Sequence, residues 1–592
     1  MIRISGNDLY YSIIKGSQKV IHIKNYLNKI NVFPVPDGDT GTNLSYTMNT
    51  VINQAKNHES AEETLKSISQ SAIEGARGNS GVIMAQYLSG FYKQSKNLVS
   101  LTEQEFAHLF KTAYESAKNA VSKPVEGSIL TVMKDFSDTL IQSIEGKNDI
   151  TSALESAHQR AKVSLAETQY RMKVLKEAGV VDSGAGGFVA FVEGIYEFFK
   201  EGRKTFAIQQ KTIPAIVDRH EKNLATMTLE YRYCFELLLE LKEPLDWEDL
   251  EIFGDSIVVA GNDTLMKIHL HTNVPQDVVA WVGKKGFVLE QKIDDMIQQQ
   301  KTLIDRKHPI AIVTDSIGDL PAQFIDDNNI FVVPLNLTID NIEYLDRITI
   351  TSDSFYDLAD NAQAFPRSAM PKIRDLERLF GFIADHYEEA LILTVSANIS
   401  GTYNLIHKVL LEHDNFGMKI ALVDSKRNSG AQGLLVAKAV EKLKEQPSLS
   451  ELKDTVEALI PNSRIYVSVD DFSYMVRGGR VSPLKGRIAK SLNLKPIITL
   501  DESGKGKAFA SAFSRKQNFK KIQDIIKKDL KSHTIESYTV VHGRNPSLAE
   551  KYKRVFTKII GKPPLFVEEI SPIVGISSGK GAVAISYILK DR

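Results

Sequence analysis

For its first two hundred residues this chain sets apolar side chains at helical spacing, and after that it stops doing so. Apolar residues recur every three or four positions over 7–30 (Leu9, Ile13, Ile14, Val20, Ile21, Ile23, Leu27), and again over 61–75, 81–95, 102–122, 151–178 and 187–201. A 3.6-residue period gives each helix one stripe to bury, and short glycine-bearing loops between such helices predict an all-α bundle. Residues 202–212 are polar and weakly patterned, and read as a linker. Over 225–305 the pattern shortens to strand-like runs at 231–240, 255–261 and 265–271, with room for helices between them, which predicts a small α/β domain. Past residue 309 the runs 310–315, 391–396 and 420–425 share one format: an apolar β segment, then Ser, Thr or Asp, then a loop and a helix. Parallel sheets carry ligand sites in that way. The expected architecture is multidomain: a helical bundle over 1–203, a middle α/β domain over 213–305, and a two-lobed α/β region over 309–592.

Length and composition narrow the function classes. At 592 residues the chain holds several domains, roughly four at about 150 residues each. Lys+Arg and Asp+Glu are both 73, so no bulk charge calls for nucleic acid or a membrane surface. A single cysteine, Cys234, excludes an intrachain disulfide and fits a reducing compartment. No apolar run reaches the roughly 18 residues of a spanning helix, and the first residues lack a signal-peptide core. The expectation is a cytoplasmic protein.

The chemistry concentrates first in Asn31-Val-Phe-Pro-Val-Pro-Asp37-Gly-Asp39-Thr40-Gly-Thr42-Asn43. Two carboxylates held one residue apart repel unless a cation sits between them. Mg²⁺ prefers oxygen ligands, often takes one or two carboxylates, and leaves its other positions to water and phosphate. Pro34 and Pro36 end the first helix, and a second is expected near 42–44, capped by Thr42 or Asn43. An Asp-Gly turn would explain one pair. It does not explain a cluster of Asp, Asp, Thr, Thr and Asn, all hard oxygen donors.

Three more bundle loops have the same character. Gly75-Ala-Arg77-Gly78-Asn79-Ser80-Gly81 exposes backbone N–H groups ahead of a helix, Glu126-Gly127-Ser128-Ile-Leu-Thr131 does likewise, and Val181-Asp182-Ser-Gly-Ala-Gly-Gly187 sets Asp and Gly at a helix start. One such loop is ordinary capping. In an up-and-down bundle alternate loops share an end, so several can meet in one phosphate-binding site. None is a Walker A loop: Gly575-Ile-Ser577-Ser-Gly-Lys580-Gly581 has the wrong spacing and no hydroxyl after its lysine. Serine-hydrolase and zincin signatures are also missing.

These four loops together resemble the ATP-binding DhaL (dihydroxyacetone kinase L-subunit) domain, in the version found in bacterial fatty acid kinases, over residues 5–200. The resemblance implies Mg²⁺ on Asp37 and Asp39, with Asn31 as a third ligand. It places Thr40, Thr42, Asn43, Asn79, Ser80, Gly81, Ser128 and Asp182 around ATP. Ser128 stands where relatives usually have threonine, and the hydroxyl is kept.

The middle domain is similar to that of the same kinases. Cys234, His269 and His271 align with a Cys…His-x-His set, which implies a Zn²⁺ site or acid–base help to the reaction. Two histidines at i, i+2 on a strand face one way. By itself, a lone cysteine is equally well read as a small buried apolar group.

The last region resembles the DegV family of fatty-acid-binding proteins. The matching segments are Val313-Thr-Asp315-Ser316-Ile-Gly-Asp319-Leu-Pro321, Val395-Ser396-Ala-Asn-Ile-Ser400-Gly401-Thr402-Tyr403, Val423-Asp-Ser425 and Arg477-Gly-Gly-Arg480-Val-Ser482. The resemblance implies that Ser368 and Ser400, with Gly401, hold a fatty acid carboxylate, and that Arg477 or Arg480 offsets its charge. Two segments depart from the family. Ser368-Ala-Met370-Pro replaces Thr-Ser-Gln-Pro, and Ser577 replaces a late histidine, beside which Lys580 offers another cation.

Joined on one chain, the parts imply phosphorylation of a bound fatty acid by ATP. The acyl phosphate would pass to an acyltransferase of phospholipid synthesis. A homodimer and a transient membrane-surface contact are expected, and nucleic acid is not. Two other classes stand beside this one: a glycerone-type kinase, which needs a separate substrate-holding protein domain that this sequence lacks, and a lipid-binding regulator without kinase activity.

Overall fold

The computed structural model describes residues 3–33, 38–202, 229–262, 264–469, 472–478 and 494–591. It divides into two units, Met1–Leu303 and Ile304–Arg592.

In the first unit the helical stripes close on one another. The described helices are α1 (Gly6–His22), α2 (Lys24–Lys29), α3 (Thr40–Gln54), α4 (Ala61–Glu74), α5 (Gly78–Gln94), α6 (Glu103–Asn119), α7 (Ile129–Glu145), α8 (Ile150–Arg171), α9 (Lys173–Ala178) and α10 (Ser183–Glu201). Starts are written locally. At α1 the Ser5 hydroxyl accepts from the Asp8 N–H while the Asp8 carboxylate accepts from the Ser5 N–H at 2.9 Å, a reciprocal capping box. Thr102 and Glu105 repeat it at α6.

The structure corrects three helix expectations. The segment 7–30 breaks at Ile23 into α1 and α2, and 151–178 breaks at Met172, whose backbone is extended. The unassigned stretch after 122 contains α7, with Ile129, Val132, Met133, Phe136, Leu140 and Ile144 buried on one face. Inside the bundle Phe106, Phe110, Phe136, Phe188 and Tyr87 form a chain of tilted and edge-on rings about the core.

The first and last helices close the bundle. α1 packs on α10 through two glycines: a Cβ on Gly194 would sit 2.6 Å from the Gly16 Cα, and one on Gly16 would sit 2.6 Å from the Phe191 carbonyl oxygen. Lys15 pairs with Glu201 at 2.5 Å and Lys19 with Glu197 at 2.5 Å along the same seam.

A short antiparallel pair, β1 (Ile4–Ser5) and β2 (Ser100–Leu101), ties the chain start to the bundle. The middle region is a four-stranded antiparallel sheet of β3 (Tyr233–Leu241), β4 (Gly254–Gly261), β5 (Leu265–Thr272) and β6 (Gly286–Asp295), in the order β4-β5-β3-β6. Helices α11 (Pro275–Val282) and α12 (Met296–Ile304) complete it. Val258 and Ala260 enter the bundle core. The Val259 N–H donates to the Ala120 carbonyl at 3.0 Å, and the Gly261 N–H to the Gln86 side-chain oxygen at 2.9 Å. Of the residues expected to form a linker, 202–212, Gly202 caps α10 and the rest lie outside the described ones.

The second unit has two main sheets. In the first, Lys419–Asp424, Glu389–Thr394, Ile310–Asp315 and Phe331–Val333 lie side by side and parallel. The second has six strands, in the order Gly506–Ala512, Lys495–Leu500, Ser463–Ser468, Val583–Asp591, His533–His542 and Val567–Glu569. The three runs expected in parallel format all lie in this first sheet. The second is antiparallel except for its last pair, and its return at 501–505 is too short for a parallel crossover. A smaller sheet orders Ile342–Leu345, Asn336–Ile339 and Arg367–Ala369. No described helix is long and apolar enough to cross a membrane.

Three buried carboxylates knit this unit. Asp315 accepts from the Val395 N–H at 2.6 Å, Asp319 from the Ser571 N–H at 2.9 Å, and Asp346 from the Ile573 N–H at 3.2 Å. Burial raises the Asp346 carboxyl to about 7, against the pull of Arg347. A carboxyl raised in the folded state binds a proton that the unfolded chain has released. Its contribution to stability is therefore present at low pH and is lost as pH rises from the ordinary carboxylate range towards 7. The melting temperature of the second unit is expected to fall between pH 5 and pH 8, and Asp346→Asn to flatten that fall. Parallel melting curves of the two chains at both pH values check this; an equal slope in both would refute it.

Candidate functional site

Four loops meet at one end of the bundle. Helix α3 begins at Thr40, with Asp39 as its cap residue, not at 42–44 as expected. The cause is local. The Asn43 N–H bonds the Asp39 carbonyl at 2.8 Å, and Asn28 of α2 accepts the Thr42 N–H at 2.9 Å while donating to its hydroxyl at 2.9 Å. Thr42 is thus fixed to α2. The Thr40 hydroxyl donates to the Asn31 side-chain oxygen. Asp37 lies outside the described residues.

The second loop comes up against the first. Gly78 adopts φ +57, and a Cβ there would lie 2.3 Å from the Asn43 side-chain nitrogen. A Cβ on Gly81 would lie 2.6 Å from the Thr47 hydroxyl. At Gly78 the left-handed backbone favours glycine, and at both positions a side chain would push Asn43 or Thr47 aside. The Arg77 guanidinium stacks 3.3 Å above the Tyr46 ring centroid. The third and fourth loops join through Asp182. Its carboxylate accepts from the Ala185 N–H at 2.7 Å and from the Ile129 N–H, next to Ser128. Burial raises it to about 6, and those two N–H groups oppose the rise. Gly184 brings Ser80 to this junction: a Cβ on it would be 3.3 Å from the Ser80 hydroxyl oxygen and 3.5 Å from Asp182. Thr40, Asn43, Asn79, Ser80, Gly81, Ser128 and Asp182 therefore belong to one cluster of loops.

That cluster suits a phosphate. The first intrahelical bond of α5 runs from the Gly81 N–H to the Arg77 carbonyl, leaving the earlier N–H groups outside the helix ladder. The buried Asn79 side-chain oxygen has no hydrogen-bond partner, an acceptor open to a hydroxyl or a cation and not to a phosphate oxygen. Neither observation reaches Asp37, so the Mg²⁺ assignment rests on the paired carboxylates of the sequence.

The sheet faces this end of the bundle with polar side chains. Cys234, His269 and His271 offer ligand atoms that all lie within 4.8 Å of one another, and the Cys234 sulfur is 4.0 Å from His269 Nδ1. The His269 Nε2 atom is buried without a partner. A thiol and two imidazoles in this compass fit Zn²⁺, with a fourth position left open. Burial pushes the Cys234 thiol well above its ordinary value, and Asp294, Glu236 and Asp39 push the same way; burial lowers His271 to about 3.

Three neighbours escaped the sequence reading. Glu236 is buried, with Lys292 Nζ at 3.3 Å, Lys267 Nζ at 3.7 Å and His269 Nδ1 at 3.8 Å from its carboxylate oxygens. Burial works to raise this carboxyl, but Lys292, with His269 and Lys267, holds it well below the usual range. The available signal was the period of two. Glu236 follows Cys234 by two on β3, and Lys267 precedes His269 by two on β5, so each shares its neighbour's face.

In the second unit, Ser368 lies on the strand Arg367–Ala369. Met370 Sδ would be 2.6 Å from a Cβ on Gly401, so the Ser368 segment and the Ser400–Gly401 turn meet. Ser400 and Thr402 share a hydrogen bond of 2.8 Å. Ser577 belongs to the helix Pro572–Ser578, which packs against both the strand of Ser368 and the helix Ser473–Arg477. The Arg477 guanidinium lies 4.2 Å from the Phe365 ring centroid. Lys580 faces Asp360 at 3.6 Å, both half-exposed. Arg480 lies outside the described residues. Asp315, buried and bonded to backbone, serves structure.

Comparison with known proteins gives three matches in series. Residues 34–197 match the DAK2 domain, residues 230–303 the fatty acid kinase-like middle domain, and residues 309–590 the DegV family of uncharacterised proteins. An uncharacterised protein of Staphylococcus saprophyticus is 33% identical over 320 residues, 52% of this chain and 58% of its own length. Protein YloV of Bacillus subtilis is 32% identical over 346 residues, 53% of this chain and 62% of its own. The chain thus spans about three-fifths of the curated relatives it matches. The crystal structure of DegV, a fatty acid binding protein from Bacillus subtilis, aligns with 48% of this chain and 100% of its own at 24% identity and a TM-score of 0.43. A fatty-acid-binding DegV family protein from Thermus thermophilus aligns with 48% of this chain and 100% of its own, at 24% and 0.44. The chain thus joins, in order, a DAK2 (DhaL-type) domain, a fatty acid kinase-like middle domain and a DegV domain.

Proposed function

We propose that this protein is a phosphotransferase of the fatty acid kinase type: ATP + fatty acid → acyl phosphate + ADP. The observation that carries the reading is the meeting of the four loops at one end of the bundle, with Asn43 against Gly78 and Ser80 against Gly184 and Asp182. Thr40, Thr42, Asn43, Asn79, Ser80, Gly81, Ser128 and Asp182 would surround ATP, with the N–H groups ahead of the α5 ladder turned to its phosphates. Asp37 and Asp39, with Asn31, would hold Mg²⁺, whose charge offsets that of the phosphates. The acceptor would be a fatty acid carboxylate held by Ser368, Ser400 and Gly401, with Arg477 and Ser577 near it. A carboxylate is already ionised at pH 7, so the protein needs no base to activate it. The chain's own work is positioning and charge complementarity. Cys234, His269 and His271 would hold Zn²⁺ beside this end of the bundle.

The product calls for an acyltransferase that consumes acyl phosphate. A homodimer, a cytoplasmic location and a brief contact with the membrane surface fit such a role. The test uses the full chain with labelled ATP, Mg²⁺ and oleate, trapping product as a hydroxamate. Acyl hydroxamate is the expected result. Turnover of dihydroxyacetone in its place would mark a glycerone-type kinase, and bound oleate without ATP consumption a lipid-binding regulator.

A further inference from the structure

Glu236 does something no ligand assignment requires. Its carboxylate reaches from β3 to the start of α5 and accepts the Gly78 N–H at 2.9 Å. Gly78 opens the helix whose first turn carries Asn79 and Ser80, and it stands in the left-handed region at φ +57. A residue so placed has several accessible conformations, and something must select one. The first turn of α5 encloses Gly78 but leaves its N–H outside the ladder, because the earliest helical donor is the Gly81 N–H.

We infer that Glu236 is the positioning residue of the nucleotide loop: by taking the Gly78 N–H it fixes residues 75–81 so that the next N–H groups face the phosphate. The inference rests on the reading that this loop binds ATP.

The geometry supports this in two ways. First, the acceptor is rigid. Glu236 sits mid-strand, pairs in register with His269 on β5 and Lys292 on β6, and is clamped by Lys292 and Lys267. A buried carboxylate between two ammonium groups cannot swing away without leaving them unpaired. Secondly, the sheet is attached to the bundle elsewhere, by the Gly261 N–H bond to Gln86 and the apolar contacts of Val258 and Ala260. Glu236 is therefore not needed to dock the sheet, and its bond to Gly78 has a local effect.

Calorimetry of the full chain with Mg²⁺ and a non-hydrolysable ATP analogue tests the inference. Glu236→Gln is expected to bind the analogue about 10-fold more weakly, the scale of losing a charge-assisted hydrogen bond. Gln86→Ala, which cuts a sheet-to-bundle bond away from the loop, is expected to bind like the parent. If Glu236→Gln strands its lysines and unfolds, Glu236→Gln with Lys292→Met restores the charge balance and should show the same weakening. Amide exchange of the free protein should quicken at 75–81 and stay unchanged along the rest of α5. Analogue binding within about twofold of the parent, or an equal loss in Gln86→Ala, overturns the inference. If the parent fails to bind the analogue, the ATP reading falls, and the exchange experiment still decides: quickened exchange at 75–81 upholds the role of Glu236, and unchanged exchange overturns it.

Discussion

An Asp39→Asn chain is expected to lose ATP-dependent phosphotransfer by about 10³-fold, roughly 4 kcal/mol of transition-state stabilisation, while melting at the parent temperature. The two halves of this expectation have separate causes. Asp39 is the cap residue of α3, yet its side chain makes no capping bond to that helix, and asparagine is as good a cap as aspartate. The fold should therefore not register the change. The charge is different: Asn keeps the shape and one oxygen but drops the anion that, with Asp37, would bind Mg²⁺. Initial rates of acyl hydroxamate formation at saturating ATP, beside a melting curve, measure both. Full activity in Asp39→Asn would remove the metal assignment. Oleate binding should be unchanged, because the residues proposed for the carboxylate belong to the second unit.

Gly194→Val is expected to have the opposite profile, with a large cost in stability to the first unit. Replacing a helical glycine normally gains about 0.5–1 kcal/mol when the new residue is a good helix former, and less for β-branched valine. Here a Cβ would sit 2.6 Å from the Gly16 Cα, and the obstacle is backbone. No rotamer change relieves a contact with main chain, so α1 and α10 must separate. Overpacking of this kind costs about 3 kcal/mol, and for a unit of this size the melting temperature should drop by about 10 °C. Thermal melts followed by circular dichroism test it. An unchanged transition would mean that the two helices do not close as described.

How far the sequence foretold this arrangement depended on the kind of information needed. Helix stripes, capping residues and the glycine loops are local, and they located the bundle and its four loops. The prediction that alternate loops share an end is a property of up-and-down topology, and the contacts of Gly78 and Gly184 agree with it. The pair His269 and His271 was legible from the period of a strand. The same period offered Glu236 and Lys267, but their meeting with Lys292 depends on which strands neighbour β3 and in what register, and a single sequence does not encode that pairing openly. The start of α3 was missed for a similar reason: Asn28, fourteen residues earlier, holds Thr42.

The glycine seam between α1 and α10 also sets an order of events during synthesis. The groove on α1 that includes Gly16 is made well before the helix that fills it, which follows almost two hundred residues later. Until residues up to about 201 have left the ribosome, the growing bundle lacks the helix that closes it and must hold its apolar interior open. Local helices can form early, but the contact that completes the bundle joins distant parts of the chain, and such contacts are slow to form. For this polypeptide, α1 meets α3 and α4 soon after it is made and α10 only much later.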